Sequence, residues 1–205
     1  IKQLLDAGAD VNRQMPFIDR CLLSTDAFYR QMPFKDSILI LALKAKNLPD
    51  KIIHRILAQS TNINVQTRES AALHIAIKRY HKTHSPSLDI IKHLLSSGAS
   101  LIKSNYLEHT PLMEAVISKH QDIVDCILAY QADEYINLAN NNGDTALLLA
   151  LNHSWSPEKN APIIEALILA GANPHIKNSQ RKNAFDLAHR TKGYEDILTR
   201  ALAKN

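Results

Sequence analysis

Several residue types are scarce in this sequence, and each scarcity excludes a class of protein. Two cysteines among 205 residues, Cys21 and Cys126, cannot form a disulfide framework, and we expect both to be reduced and buried. Five glycines and eight prolines are too few for a low-complexity chain, and 45% hydrophobic residues argue against disorder. No apolar run approaches the roughly 18 residues that span a membrane, so we expect no membrane insertion.

Motifs that carry chemistry are also missing. The chain has no glycine-rich phosphate loop, no Cys-x-x-Cys and no His-Glu-x-x-His helix. His81 and His84 lie three residues apart without a carboxylate or cysteine at matching spacing, and Cys21 has no evident base. We therefore expect no enzyme activity, no cofactor, no metal and no small-molecule substrate.

The charge balance is nearly even. Twenty-four basic and 20 acidic side chains leave a formal net charge of +4. This small excess is compatible with an acidic partner but does not indicate a nucleic-acid-binding protein.

Internal repeats are the strongest signal in the sequence. An apolar helix ending in Gly-Ala and a polar residue occurs at 4–12, 94–100 and 167–173, with weaker versions at 56–62 and 127–133. In each strong copy a glycine stands where a helix ends in the left-handed conformation.

A second motif alternates with the first. It reads Thr-Pro-Leu-Met-Glu-Ala at 110–115, and its relatives lie at 37–42, 71–76, 145–150 and 183–188. A Thr, Ser or Asn leads most copies as a helix cap, and Pro111 takes a first helical position. The closing alanine recurs at steps of 34, 39, 35 and 38, and its small side chain allows close helix packing: Ala42, Ala76, Ala115, Ala150 and Ala188.

These residues resemble the ankyrin repeat, which starts with Thr-Pro-Leu-His-x-Ala and ends with Gly-Ala-Asp-x-Asn at a period of about 33 residues. The resemblance implies an all-α solenoid of stacked helix-turn-helix units with short hairpin fingers. It implies that Leu73, Leu112 and Leu147 are buried between neighbouring units. Only His74 keeps the motif histidine, which in the family ties neighbouring turns together, so we expect the other turns to be less rigid.

The two motifs divide the chain into repeats. We expect a second helix and turn of a truncated first repeat at 1–14, so the chain should begin inside a larger protein. An insertion follows at 15–35, either a short helix in an elongated finger or a degenerate extra helix covering the core. Repeats then occupy 36–66, 67–103, 104–139 and 140–177, with a capping repeat at 178–205. Inserted residues at 81–86 and 154–160 should lie between first and second helices.

Family members bind other proteins on the concave face made by finger tips and first helices, so the resemblance implies a candidate surface. Tyr106 with Leu107 is the best anchor, because aromatic residues dominate binding energy in a pocket. Lys78, Arg79, Lys182 and Arg190 favour an acidic partner protein. The full candidate set is Thr67, Arg68, Ser70, Lys78, Arg79, Tyr106, Leu107, His109, Ile117, Ser118, Asn141, Asn142, Asp144, Asn152, His153, Gln180, Lys182 and Arg190.

The function implied is a non-catalytic protein-interaction module. One alternative is an accessory domain that recruits substrates for a larger enzyme or effector whose active region lies upstream. Binding of an anionic surface is a third reading, which the modest charge disfavours. The irregular, Asn- and Lys-rich repeats resemble ankyrin effectors that intracellular bacteria inject into host cells, which would place the protein in host cytosol. An ordinary cytoplasmic scaffold is the alternative.

Overall fold

The computed structural model describes residues 35–45, 48–60, 63–64, 71–83, 88–102, 105, 107–130, 132–152, 157–191 and 193–204. The predicted unit at 1–14 and the insertion at 15–35 lie outside these ranges, apart from Lys35.

Within the described ranges, ten α-helices form five successive pairs. The pairs are α1 (Lys35–Lys44) with α2 (Asp50–Gln59), α3 (Ala72–Thr83) with α4 (Leu88–Ser96), α5 (Pro111–Ser118) with α6 (Gln121–Leu128), α7 (Ala146–Asn152) with α8 (Pro157–Leu169), and α9 (Ala184–Ala188) with α10 (Tyr194–Leu202). A 3₁₀ turn at Ala132–Glu134 follows α6.

The pairs stack in sequence order. Each first helix packs against the first helix of the next pair, each second helix packs against the next second helix, and the two helices of every pair contact each other. This nearest-neighbour pattern is that of a helical repeat solenoid, in which each unit is stabilised by its neighbours. The predicted all-α solenoid is thereby confirmed.

The core lies between units, as the repeat pattern predicts. The three motif leucines Leu73, Leu112 and Leu147 are at most 1% exposed. The five closing alanines of the first helices are also buried, so first helices of adjacent units come close together. No helix in the described ranges is long and apolar enough to cross a bilayer.

Polar side chains cap the starts of three first helices. The Thr110 hydroxyl accepts the Met113 N–H at 3.3 Å, the Thr145 hydroxyl accepts the Leu148 N–H at 3.4 Å, and Asn183 forms a reciprocal capping box with Asp186. Ala71 holds the same place before α3 and supplies no oxygen.

Replacing Ala71 with threonine is expected to raise the free energy of unfolding by about 1 kcal/mol, because the new hydroxyl caps α3. Ala71 is 4% exposed, and the equivalent Thr110 and Thr145 are 3% and 1% exposed, so this position accommodates threonine elsewhere in the stack. Urea unfolding measures the change, and Thr110→Ala is the matched control with the opposite sign. An unchanged or lowered stability of the Ala71→Thr variant would contradict the assignment.

The residues predicted as insertions between first and second helices instead partly lengthen the helices. Helix α3 continues through Thr83 for 12 residues, and α8 begins at Pro157 and runs for 13, whereas α5 has 8. The extra residues thus lengthen the end of α3 and the start of α8. Adding a residue to an existing helix forms one more backbone hydrogen bond without the cost of starting a new helix.

Links between units fix the turns that follow the second helices. Gly98 and Gly171 end α4 and α8 at φ +83° and +91°, as predicted. The Asn64 carboxamide accepts the Ser100 N–H at 2.6 Å and donates to the Gly98 carbonyl at 2.9 Å. One further link, from Asn137 to Gly171 and Asn173, repeats this arrangement two units on.

Candidate protein-interaction surface

Three described finger tips share one geometry, and each begins at an asparagine: Asn105, Asn140 and Asn178. In each tip the side-chain oxygen accepts the backbone N–H groups two and four residues further along, at 2.8–3.1 Å. The asparagine backbone N–H also donates to the carbonyl four residues on, at 2.9–3.0 Å. Side chain and backbone together hold each tip in a single conformation.

The fourth residue of each tip has a positive φ. Glu108, Gly143 and Arg181 have φ of +57°, +73° and +59°. At Gly143 the neighbouring finger comes very close, since a Cβ there would lie 2.9 Å from the Ser179 nitrogen. The Ser179 N–H donates to the Asn142 carbonyl at 2.9 Å, so the backbones of the fingers that begin at Asn140 and Asn178 are hydrogen-bonded to each other.

Buried carboxylates support the bases of the fingers. Glu114 is 7% exposed, and its Oε2 accepts the Asn105 Nδ2–H at 3.1 Å and lies 3.6 Å from the Lys78 Nζ. Asp144, 5% exposed, accepts the Asn178 Nδ2–H at 2.8 Å across a unit boundary. These bonds satisfy carboxylates that would otherwise be costly to bury.

His74 ties its unit to the next finger, in the role that the ankyrin resemblance implies. Its Nε2 lies 2.8 Å from the His109 carbonyl and donates to it. Burial lowers the pKa of His74 to about 4, although the hydrogen bond to His109 opposes the shift. The imidazole is therefore neutral at pH 7, with Nε2 protonated.

The structure places ten of the predicted contact residues at least partly on the surface. Leu107, Asn141, Asn142, Asn152, Gln180 and Arg190 are exposed, and Lys78, His109, Ile117 and Lys182 are half-buried. They lie on the finger tips and on the first helices, except Arg190, which lies in the turn after α9. Thr67, Arg68, Ser70, Tyr106 and His153 lie outside the described residues.

Three predicted contact residues are buried instead. Arg79 is 9% exposed, and its Nη1 donates to the carbonyls of Ala42 and Leu43 at 3.0 and 2.9 Å, where α1 ends. This guanidinium satisfies helix carbonyls of the preceding unit. Ser118 is 6% exposed, and Asp144 holds the next finger. Their side chains are inaccessible to a partner, so we remove all three from the candidate set.

The sequence interpretation missed the finger asparagines. Asn105, Asn140 and Asn178 recur at steps of 35 and 38 and stand five residues before the helix caps Thr110, Thr145 and Asn183. That spacing was visible in the sequence. Glu114 gave no such signal, because the equivalent positions 149 and 187 hold leucine.

Metal-binding groups and free thiols would add chemistry beyond contact to the described part of the chain. No group of three or more His, Cys, Asp or Glu side chains in it is placed to hold a metal ion. Cys126 is a free, half-buried thiol, and burial raises its pKa. The predicted burial of Cys126 is thus only partial.

Comparisons with known proteins agree with this geometry. A family model described as ankyrin repeats (three copies) matches residues 83–178. Alpha-latrotoxin-Lg1a of Latrodectus geometricus is 30% identical over 106 residues, which are 51% of this chain and 7% of that protein. Alpha-latroinsectotoxin-Lt1a of Latrodectus tredecimguttatus is 32% identical over 101 residues, 49% of this chain and 7% of that protein. The matched part of the chain thus corresponds to a small fraction of either relative. The stacked helix pairs, the hydrogen-bonded fingers and the family match together show that residues 83–178 of this chain consist of ankyrin repeats.

Proposed function

We propose that this ankyrin-repeat module binds an acidic partner protein without catalysing a reaction. The contact surface, which we call the finger face, consists of Leu107, Asn141, Asn142, Gln180, Lys182 and Arg190. The observation that carries the proposal is that hydrogen bonds fix the finger tips, while Leu107, Asn141, Asn142 and Gln180 on those tips are exposed.

The chemistry of the finger face favours one kind of partner. Lys182 and Arg190 form no ion pair with the described residues, so they can pair with carboxylates of a partner. Leu107 is 43% exposed and supplies an apolar contact beside the polar tips. Charges of this kind speed encounter and select partners, and a fixed scaffold binds with little rearrangement.

The test compares two variants with the same loss of charge. Lys182→Gln/Arg190→Gln removes two cations from the finger face, and Lys51→Gln/Lys159→Gln removes two exposed cations from the second helices α2 and α8. Each chain is immobilised and used to capture proteins from eukaryotic lysate at moderate and high salt. We expect a discrete protein held by the wild type and the control, and about tenfold less of it on the finger-face variant.

Circular dichroism must first establish that both variants keep the helical spectrum of the wild type. Equal losses on both variants would indicate a general charge effect and would overturn the assignment of the finger face. Equal recovery on all three chains would overturn it as well, because the two cations would then be irrelevant to binding.

A second candidate is that the module recruits substrates for a larger enzyme or effector. Both toxin relatives are many times longer than their matched segments, which supports a role of ankyrin repeats as one part of a larger protein. Under this proposal the larger protein is either a cytoplasmic scaffold or a bacterial effector in host cytosol. The finger-face variant distinguishes the candidates when its effect on partner binding is compared with its effect on the activity of a longer protein carrying the module.

A further inference from the structure

A second recessed surface lies on the second helices rather than on the finger face. It is a groove of about 870 Å³ that crosses α2, α4 and α6. We call it the second-helix groove. None of its lining residues belongs to the finger face, so a ligand there would not compete for the same side chains.

The groove is locally acidic in a basic chain. Asp89, Asp122 and Asp125 line it, against the single cation Lys92, whereas the whole chain has a formal net charge of +4. Asp89 is exposed and has no hydrogen-bond partner among the described residues. The Oδ1 of Asp125 accepts the Gln121 Nε2–H at 2.6 Å, which leaves its second oxygen available.

Apolar and aromatic groups accompany these carboxylates. Leu88 is half-buried in the groove, and Tyr130 lies on the same lining. His54 of α2 and His93 of α4 stack with ring centroids 5.3 Å apart and an interplanar angle of 28°. Their Nδ1 atoms are 3.1 Å apart, so one ring donates a hydrogen bond to the other. The ring pair joins two units, and both imidazoles belong to the lining of the groove.

A guanidinium group matches this combination. A guanidinium pairs with carboxylates through several N–H donors and stacks on aromatic rings. Apolar side chains next to the arginine in the ligand would pack against Leu88. A metal ion is a poorer match, because the described residues hold no group of three ligands. We propose that the second-helix groove docks a basic segment of a partner protein, in which arginine side chains alternate with apolar ones.

The experiment uses fluorescein-labelled peptides of Arg-Leu and Glu-Leu repeats, titrated with the chain and followed by fluorescence anisotropy in the presence of a chelator. The net charge of the chain favours the glutamate peptide in non-specific binding, so preference for the arginine peptide indicates the groove. Asp89→Asn/Asp125→Asn should weaken binding of the arginine peptide roughly tenfold, as expected for the loss of two partly exposed charge pairs.

The matched control is Glu158→Gln/Asp196→Asn, which removes two exposed carboxylates from α8 and α10. It should leave the affinity for the arginine peptide unchanged, as should the finger-face variant Lys182→Gln/Arg190→Gln. Equal binding of the two peptides would overturn the proposal. Unchanged affinity after Asp89→Asn/Asp125→Asn, or an equal loss in the control, would also overturn it. Because the finger-face variant is assayed in parallel, failure of the groove is distinguishable from failure of the proposed function.

Discussion

Acidification from about pH 7 to about pH 4.5 is expected to remove roughly 2 kcal/mol of folding free energy through His74 alone. His74 is fully buried, and its pKa in the folded chain is lowered from 6.5 to about 4, chiefly by burial. Few positions in a repeat stack have so large a linkage to pH, because most titratable side chains lie on the surface.

The direction follows from proton binding. The folded pKa lies below the unfolded one, so between about 6.5 and 4 the unfolded chain binds more protons than the folded chain. The contribution is therefore fully present above pH 6.5 and is lost as the pH falls towards 4. Since the Nδ1 of His74 is buried without a hydrogen-bond partner, a second proton there would find no acceptor in its surroundings.

The measurement is urea unfolding at several pH values for the wild type and for His74→Leu. Leucine is a fair replacement, because Leu148 holds the equivalent place in another unit and is 1% exposed. We expect the wild type to lose roughly 2 kcal/mol more than the variant over the same pH interval, since carboxylates contribute equally to both. Parallel pH profiles for the two proteins would refute the linkage.

The parts of the fold that the sequence predicted are those set by local chemistry that recurs. Leu112 and Leu147 each lie two residues after a capping threonine, and both are buried as the recurring motif predicts. Gly98 and Gly171 have positive φ because each follows an apolar second helix. Repetition allows every copy to support the interpretation of the others, so even weakly matching units could be aligned.

The parts that it did not predict depend on neighbours in space. Arg79 occupies a position that the resemblance assigns to the surface, but its guanidinium bonds to carbonyls of Ala42 and Leu43 in the preceding unit. Asp144 is likewise buried by a bond to Asn178 in the following unit. Residue identity alone does not determine these contacts. The Arg79 contact depends on how far its long side chain reaches, and the Asp144 contact depends on how closely the following unit approaches.

The His54 and His93 pair illustrates the same limit. The two residues are 39 positions apart in the sequence and lie on separate helices. Their stacking depends on the register between α2 and α4, which the period of the repeats constrains only to within a few residues. A groove across several second helices is therefore visible only once the units are stacked.

Replacement of Gly143 by alanine is expected to lower the free energy of unfolding by about 3 kcal/mol, whereas Gly98→Ala lowers it by about 1 kcal/mol. Both glycines have positive φ, +73° and +83°, so both variants incur the strain of a left-handed alanine. Only Gly143 also faces a close neighbour. A Cβ there lies 2.9 Å from the Ser179 nitrogen and 3.0 Å from the Asn178 Cα.

The matched pair isolates the effect of contact between fingers, because a Cβ at Gly98 meets nothing within 4 Å. The atoms that crowd Gly143 are backbone atoms and cannot rotate away as a flexible side chain would. Relief of the clash must therefore lengthen the Ser179 to Asn142 hydrogen bond and separate the finger that begins at Asn178 from the one that begins at Asn140. Hydrogen exchange should then show α9 and α10 opening before the rest of the stack, since units are stabilised by their neighbours. Equal destabilisation by Gly143→Ala and Gly98→Ala in urea, with unchanged exchange in α9 and α10, would mean that the fingers contribute nothing to coupling between the last two units.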